Sequence, residues 1–437
     1  MKKYFARDAL LPEGWARDVV VTVDDGDIIA VAGGAREGEA LAGPVLPGMA
    51  NLHSHAFQRG MAGLAEVRSG GEDDFWTWRE LMYRFVERLT PEQARAIARH
   101  LYIELLKHGY TAVAEFHYLH HPQEMLGAHL EAALEAGIAI TALPSLYRWS
   151  GFGKRALQPR QKRFDSTVGQ ILAAMRAVPL SPDVRAGVAP HSLRAVDPAA
   201  LSELLAEVPA DAPTHIHAAE QTKEVEECVS ALGKRPVEWL LANQRVNERW
   251  CVVHATHMVT DEVNALAKTG AIAGLCPSTE ANLGDGIFAL LAYRAAGGRY
   301  GIGGDSHVSR DPAQELRLLE YAQRLMHRKR NLVTGTSSAV GTTLWSEAAA
   351  GGAQALGRAM GAIAPGRRAD LVVLDGEHAD LEGRTGDAIA NALVFSGSGP
   401  LVRDVMVAGR WVVESGRHTA EERAAEDYKG AVKALVA

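Results

Sequence analysis

The sequence is poor in cysteine, in clustered positive charge and in long apolar runs. It has three cysteines in 437 residues, Cys228, Cys251 and Cys276, and no CxxC pair. This excludes a disulfide framework and makes a cysteine-based zinc site improbable. Lysines and arginines are mixed with acids and the net charge is −7, so the chain lacks the footprint of a nucleic-acid-binding protein. No run of about 18 apolar residues indicates a membrane span.

The first residues of the chain do not resemble a secretion signal. The segment MKKYFARDALLPEGW places Arg7 and Asp8 where a signal peptide needs an apolar core. Few, scattered cysteines are typical of a reducing compartment. We therefore expect a cytoplasmic protein with neither a membrane nor a nucleic-acid partner.

Short apolar runs, often rich in Val and Ile, alternate with amphipathic helical stretches along most of the chain. TPEQARAIARHLYIELLKHG and DPAALSELLAEV begin at Thr90 and Asp197, which suit N-caps, and the first ends at Gly109. Eight strands with helical crossovers predict an α/β fold, a (β/α)₈ TIM-type barrel. The alternative is an open doubly wound sheet, which normally has fewer strands and often a Gly-rich phosphate turn that this chain lacks. The predicted strands are 45–55, 111–118, 138–147, 184–192, 213–220, 250–257, 271–280 and 300–307.

The two chain ends have a different pattern, which predicts more strands. DVVVTVDDGDIIAVAGG suits a hairpin that turns at Asp25-Gly26, and VRDVMVAGRWVVESGR suits one that turns at Ala408-Gly409. Strands at both ends predict a small β-sandwich domain built from residues 1–47 and 363–437. The barrel would then span residues 48–362.

Polar residues stand at the carboxyl ends of six of the eight predicted strands. The endings are NLHSH, AEFHY, VAPHSLR, THIHAAE, VVHATH and GIGGDSH. A barrel carries its active site on this face because the loops after the strands converge there. One histidine at a strand end is more often structural than functional. Six such endings on one face indicate an active site.

A metal site is the chemistry that these endings favour. Side chains alternate along a strand, so His53 and His55 point the same way. Three histidines and an aspartate suit Zn²⁺ or Fe²⁺ with a position left for water. His215 shares a strand face with His217, so spacing alone does not choose between them. Because no lysine ends the fourth strand to bridge two metals, we expect one divalent metal. The candidate ligands are His53, His55, His217 and Asp305, with His215 as the alternative to His217.

Two further residues suit proton transfer and charge stabilisation. Glu220 follows His217 by three residues, where a carboxylate can take a proton from activated water and pass it to a leaving group. The alternative is an ordinary glutamate in the first turn of a helix. His254, at the end of the sixth strand, would polarise the scissile group, and we expect its neighbour His257 at the surface or behind the site.

The complete pattern resembles the amidohydrolase superfamily in its mononuclear deaminase branch: HxH after the first strand, HxxE at the fifth, His at the sixth and Asp at the eighth. GAIAPGRRADLVVLD resembles the return of that superfamily into its small β domain. HSHAFQRGMAGLAE and DDFWTWRELMY resemble the formimidoylglutamate deiminase family of histidine degradation. The resemblance implies a zinc-dependent hydrolase, often a homodimer, that converts N-formimidoyl-L-glutamate to N-formyl-L-glutamate and ammonia.

The same resemblance implies a set of site residues. Zinc ligands would be His53, His55, His217 and Asp305, and catalytic residues Glu220, His254 and Asp305. Substrate contacts would be Gln58, Arg79, Tyr118, His191 and Arg194.

A substrate with two carboxylates needs cationic partners. Arg194, just beyond the fourth strand, is well placed for one carboxylate. Arg79 lies in FWTWRELMYRF, which either folds over the site or forms an amphipathic helix with Arg79 in solvent. Deaminases of purines and dechlorinases of triazines are alternatives within the same metal chemistry, and their substrates lack a dicarboxylate. A binding scaffold without activity is disfavoured because every ligand position is filled.

Overall fold

The computed structural model describes residues 1–68, 73–397, 399 and 401–436. The N-terminal strands form the first part of a small sheet, and β1 and β2 pair antiparallel over most of their lengths. The predicted turn at Asp25-Gly26 joins β2 to β3, and both residues have the positive φ that such a turn requires. These strands are β1 (Lys2–Leu11), β2 (Gly14–Asp24), β3 (Asp27–Gly33), β4 (Glu39–Ala40) and β5 (Val45–Pro47).

The central part of the chain forms the barrel. Its strands are β6 (Met49–Ser54), β7 (Tyr110–His117), β8 (Ala139–Leu146), β9 (Val184–Ala186), β10 (Ala189–Pro190), β11 (Thr214–Ala218), β12 (Trp250–His254), β13 (Ile272–Leu275) and β14 (Arg299–Ile302). They run parallel in two arcs, β10-β8-β7-β6 with β9 beside β8, and β11-β12-β13-β14. Parallel bridges between Val188 and Thr214 and between Ser54 and Asp305 join the arcs at both edges. The predicted barrel is therefore closed, with β9 and β10 as two halves of its fourth strand.

Several predicted strands were too long, and two of them show the physical reason. Residues 45–55 are not one strand, because the chain changes sheets at Gly48, whose amide donates to the Asp370 carbonyl (2.9 Å). β5 pairs with the small sheet, and β6 pairs with β7 in the barrel. Residues 271–280 are a strand only as far as Leu275, because Pro277 begins a helix, the position in which proline is favoured.

Helices surround the barrel and follow most of its strands. Thr90 caps the second helix as predicted: its hydroxyl accepts from the Gln93 amide (3.3 Å), and the Gln93 side chain accepts from the Thr90 amide (3.0 Å). The helices are α1 (Phe75–Arg88), α2 (Pro91–Lys107), α3 (Met125–Ala136), α4 (Val168–Ala177), α5 (Pro198–Glu207), α6 (Thr222–Leu232), α7 (Pro236–Asn243), α8 (Thr260–Ala267), α9 (Pro277–Leu283), α10 (Leu290–Ala295), α11 (Pro312–His327), α12 (Val340–Ala355), α13 (Asp387–Phe395) and α14 (Glu421–Val436). In the parts of the chain that the structure describes, no helix combines the length and the apolar character needed to cross a membrane.

The C-terminal strands complete the small sheet. They are β15 (Arg367–Arg368), β16 (Leu371–Leu374), β17 (Val402–Val407) and β18 (Arg410–Val413). The sheet order is β15-β3-β2-β1-β5-β16-β17-β18, with β4 beside β1. Side chains from both halves, such as Ile28 and Met406, share one buried core. The barrel with a β-sandwich domain built from both chain ends is the fold that the sequence predicts.

Candidate active site

The carboxyl ends of the barrel strands bring the predicted site residues to one mouth of the barrel. β6 carries His53 and ends just before His55, β11 carries His217, and β12 ends at His254. Asp305 follows β14, and its backbone bridges Ser54 across the barrel seam. All five side chains are at least nine-tenths buried. Strands distant in sequence therefore meet at one buried polar centre.

Four of these residues aim nitrogen or oxygen atoms at a common point. The Nε2 atoms of His53 and His217 are 3.0 Å apart. Asp305 Oδ1 lies 3.7 Å from His53 Nε2 and 3.5 Å from His55 Nε2. In a tetrahedral site with bonds of 2.0–2.1 Å, neighbouring donor atoms are roughly 3.3 Å apart. The observed spacing fits donors around one small cation.

The protonation of the histidines fits a cation as well. The Nδ1 atoms of His55 and His217 donate to the carbonyls of Phe116 (2.9 Å) and His191 (3.0 Å). Their Nε2 lone pairs are thus left facing the centre. Burial lowers the pKa of His55 to about 3 and lowers the pKa values of His53 and His217 as well. Where two Nε2 lone pairs face each other at such a distance, they repel one another unless a cation lies between them.

Three acidic side chains surround His254. Its Nε2 lies 3.7 Å from both Glu220 Oε1 and Asp305 Oδ2, and its Nδ1 donates to Glu280 Oε1 (3.3 Å). Burial lowers the pKa of His254, but Glu220, Glu280 and Asp305 outweigh it and raise that pKa to about 10. Burial raises the pKa of Asp305 to about 7, against the effect of His254. A cationic His254 beside proton-exchanging carboxylates suits stabilisation of a developing negative charge.

Backbone strain is concentrated at the same place. His254 has φ 66° and Asp305 has φ 49°, in the left-handed region that non-glycine residues rarely adopt. Each such residue costs about 1–3 kcal/mol, and such residues cluster at functional sites. The fold holds both side chains at the mouth of the barrel in spite of this cost.

A cavity opens above the polar centre. Gln58 and Tyr118 form one edge, where the Gln58 amide donates to the Tyr118 hydroxyl (2.7 Å). His191 and Arg194 line the cavity from the loop after β10, and Arg79 lines it from α1. All five predicted substrate contacts therefore line this one cavity. Apolar and aromatic side chains complete its wall: Phe75, Trp78, Met82, Tyr83, Tyr147, Phe164 and Leu283.

The structure separates two histidines that spacing had left equivalent. His215 lies outside the donor cluster, and its Nε2 hydrogen-bonds with the Ala355 carbonyl (2.8 Å). His257 is half-buried beyond the end of β12. His217 alone of the β11 histidines joins the donor cluster.

Sequence reasoning missed two acids of the site, Glu280 and Asp285. Glu280 lies in α9 and holds the Nδ1 proton of His254, but the sequence had predicted it as the last residue of a strand. Asp285 follows α9, and one oxygen of its buried carboxyl group has no hydrogen-bond partner among the described residues. Burial and Glu220 raise the pKa of Asp285 to about 9. The Cys-Pro at the start of α9 was the signal that could have located the helix.

Comparison with known proteins gives matches along the whole chain. The model of the amidohydrolase family matches residues 45–412, and the model of the N-terminal domain of formimidoylglutamate deiminase HutF matches residues 1–40. The chain is 52% identical to the formimidoylglutamate deiminase of Pseudomonas aeruginosa, with 98% of each chain covered.

Solved structures share the fold, and two of them illustrate the likeness. A crystal structure of an amidohydrolase from Brucella melitensis superposes with a TM-score of 0.93 at 44% identity, with both chains fully covered (100%). An adenosine deaminase from Xanthomonas campestris, crystallised with bound zinc, superposes with a TM-score of 0.83 at 20% identity, covering 99% of this chain and 98% of the other. The second likeness concerns the fold alone.

Proposed function

The chain belongs to the amidohydrolase family and groups within it with the formimidoylglutamate deiminases, and on this premise we propose that it hydrolyses N-formimidoyl-L-glutamate to N-formyl-L-glutamate and ammonia. This reaction is a step of histidine degradation. The proposal is supported by the deiminase of Pseudomonas aeruginosa, which is similar over nearly the full length of both chains. The observation that carries it is a donor cluster for one metal beneath a cavity that also holds two arginines.

The two arginines support a substrate with two carboxylates. Arg194 is 8% exposed, and its Nε and that of Arg79 are buried without a hydrogen-bond partner among the described residues. Buried guanidinium groups need anionic partners, and carboxylates match their geometry. Gln58, Tyr118 and His191 would add hydrogen bonds to the same ligand.

The metal is assigned from the donor set. Amidohydrolases depend on metals, and His53, His55, His217 and Asp305 would hold one divalent ion. Imidazole and carboxylate donors suit zinc, with Fe²⁺ as the alternative. When bound, zinc supplies a nucleophilic hydroxide near neutral pH.

The chain's own residues would then carry the protons. Asp305 would accept the proton of the attacking water, and His254 would stabilise the tetrahedral intermediate that forms when water adds to the formimidoyl carbon. Glu220, 3.7 Å from His254, would pass a proton to the departing nitrogen. Water adds, the bond from carbon to the terminal nitrogen breaks, and ammonia leaves. The arginines would orient the substrate by its carboxylates.

Three broader predictions remain proposals. We place the barrel at residues 48–362 and the small domain at 1–47 plus 363–437, supported by the change of sheet at Gly48 and by β15, which starts at Arg367. Three buried, unpaired cysteines support a reducing, cytoplasmic setting. A homodimer stays a prediction from the family resemblance.

The activity is tested by measuring ammonia release by protein that carries one zinc per chain. N-formimidoyl-L-glutamate, adenosine and guanine are compared at equal concentrations. We expect release from the formimidoyl compound alone, since the purines offer the arginines no carboxylate. Release from a purine but not from N-formimidoyl-L-glutamate would reject the proposal in favour of a heterocycle deaminase.

Arg194→Met tests the dicarboxylate contact. We expect kcat/KM for N-formimidoyl-L-glutamate to fall by roughly 10²-fold or more, because one carboxylate loses a charged hydrogen-bonding partner. Arg176→Met, which changes an exposed arginine on α4, is the matched control. An unchanged kcat/KM in the Arg194 variant would show that the substrate is held elsewhere.

A further inference from the structure

Three cations surround a single tryptophan at the rim of the cavity. The guanidinium carbons of Arg79 and Arg194 lie 4.6 Å and 5.2 Å from the centroid of the Trp76 ring. The ammonium of Lys223 lies 4.6 Å from the same centroid. All three distances are within the range of cation–π attraction. We call these four residues the Trp76 cluster.

The Trp76 cluster joins three separate parts of the chain. Trp76 and Arg79 are on α1, Arg194 is in the loop after β10, and Lys223 is in the first turn of α6. The start of α1 is fixed by Asp74, whose side chain accepts from the Trp76 amide (2.8 Å). The ring is thus held where the two arginine-bearing elements meet above the cavity.

The positive charge of the Trp76 cluster has little compensation within the protein. Among the residues that the structure describes, Arg79, Arg194 and Lys223 form no ion pair within 4.0 Å. Glu224, whose charge favours the cationic form of Arg194, directs its carboxylate to other partners: it accepts from the amides of Ala219 (3.2 Å) and Glu220 (3.0 Å). Three like charges around one ring favour a ligand of opposite charge.

The two arginines are the expected carboxylate contacts, whereas Trp76 and Lys223 are not themselves part of the cavity lining. Their effect on a ligand would pass through the arginines and through charge. An aromatic face holds a guanidinium in one orientation and leaves its N–H groups free for an anion. Exposed Lys223 adds a long-range positive potential at the entrance.

We propose that Trp76 is the positioning residue that holds Arg79 and Arg194 for a ligand with two carboxylates, and that Lys223 supplies a third positive charge by which this subsite prefers a dianion to a monoanion. The inference rests on the proposed function, since it concerns the same substrate subsite. It assigns substrate selectivity to two residues outside the cavity wall.

Calorimetric binding to the zinc-loaded protein tests the role of Trp76. The ligands are N-formyl-L-glutamate, with two carboxylates, and N-formyl-L-glutamine, in which a neutral amide replaces one of them. We expect Trp76→Leu to lower the ratio of the two affinities by about tenfold, and Trp76→Phe to stay within about threefold of wild type because an aromatic face remains. Equal weakening of both ligands by Trp76→Leu would show a merely structural role and overturn the inference.

Lys223→Gln tests the charge contribution without altering the ring. We expect the affinity ratio to fall by about threefold at low salt and by less at high salt, because an exposed charge is screened. Lys234→Gln is the matched control, because Lys234 is paired with Glu238 (2.6 Å) away from the cavity. An unchanged ratio in Lys223→Gln at low salt would remove Lys223 from the proposal.

Two checks keep the outcomes distinct. Urea unfolding shows whether Trp76→Leu is folded. If it is not, Trp76→Met, whose flexible unbranched side chain fills irregular gaps, replaces it with the same expected loss of selectivity. A wild-type protein that neither hydrolyses N-formimidoyl-L-glutamate nor prefers the diacid would reject the proposed function itself. A wild-type protein that does both, with the ratio unchanged in the leucine or methionine variant, would reject only the role of Trp76.

Discussion

At the scale of single residues, the proposed reaction depends on which buried groups can exchange protons. Glu220 is buried, and its Oε1 lies 3.7 Å from His254 Nε2. It is not a member of the donor cluster formed by His53, His55 and His217. Proton transfer to the leaving group and metal binding by the three histidines are therefore assigned to different side chains, whereas Asp305 takes part in both processes. Separate substitutions can test the two roles.

Glu220→Gln should remove most of the turnover and leave zinc in place. Glutamine keeps the shape but cannot carry a proton, and loss of a general acid–base residue lowers kcat by roughly 10²- to 10⁴-fold. Steady-state kinetics and the zinc content of the same sample measure both effects. Glu226→Gln, at an exposed position on α6, serves as the control. Turnover near the wild-type value in Glu220→Gln would contradict the proton-transfer role.

The residue types of the site could be predicted from the sequence, but some positions could not. His53 and His55 follow from strand alternation, which fixes the face of each side chain. The same rule could not separate His215 from His217, because both lie on one face. Only the depth along the barrel distinguishes them, and His215 reaches the Ala355 carbonyl (2.8 Å) instead of the donor cluster.

At the scale of elements, close packing decides where a helix can lie. α12 packs directly against β14, and a methyl group at Gly351 would overlap with the carbonyl of Tyr300. Because that obstacle is backbone, it cannot rotate away as a side chain could. Gly430 in α14 has no atom within 4 Å of the same position. The two helical glycines form a natural pair for comparison.

Gly351→Ala should destabilise the protein by about 3 kcal/mol, since overpacking forces a shift between helix and strand. Gly430→Ala should instead stabilise it by about 0.5–1 kcal/mol, because alanine favours a helix more than glycine does. Urea unfolding followed by tryptophan fluorescence measures both changes. Equal stability of the two variants would contradict the packing described for α12.

Element boundaries were predicted well where local signals agree and poorly where the chain changes partners. Thr90 and Gln93 cap α2 as the sequence indicates. Asp197 precedes α5 as expected, but its carboxylate accepts from Trp149 Nε1 (2.9 Å) rather than capping the helix. Tertiary contacts of this kind have no local pattern.

At the scale of the whole molecule, the barrel and the small domain are linked by a charged contact at Asp183. This residue precedes β9, and its carboxylate accepts from Arg368 (2.6 Å) and Arg410 (2.7 Å) of the small sheet. Burial alone raises the pKa of Asp183, but Arg368 and then Arg410 outweigh it and lower that pKa below its ordinary value. The carboxylate form is thus favoured by folding.

Asp183→Asn should cost about 2 kcal/mol of stability at pH 7, the usual magnitude for hydrogen bonds to a charged group. A carboxyl whose pKa is lowered by folding contributes stability above its unfolded pKa of about 3.9 and loses that contribution as the pH falls through the folded pKa. The difference between wild type and variant should therefore shrink as the pH falls below about 4. Urea unfolding at pH 7 and at pH 3 measures it, and an equal difference at both values would contradict the ion-pair account.

The fold as a whole could be predicted because eight apolar strands with helical crossovers are compatible with few architectures. The contact at Asp183 could not, because it joins residues about 185 and 227 positions apart. Such pairings depend on the geometry of the finished fold. The same holds for the Trp76 cluster, whose members come from three elements.

The most direct test of the central claim is to identify both products formed from N-formimidoyl-L-glutamate by the zinc-loaded protein. Cleavage at the terminal nitrogen predicts ammonia and N-formyl-L-glutamate in equal amounts. Cleavage at the other nitrogen would give formamide and glutamate instead. Equal amounts of the first pair are the predicted result. The second pair, or no product from protein with its full zinc content, would contradict the account.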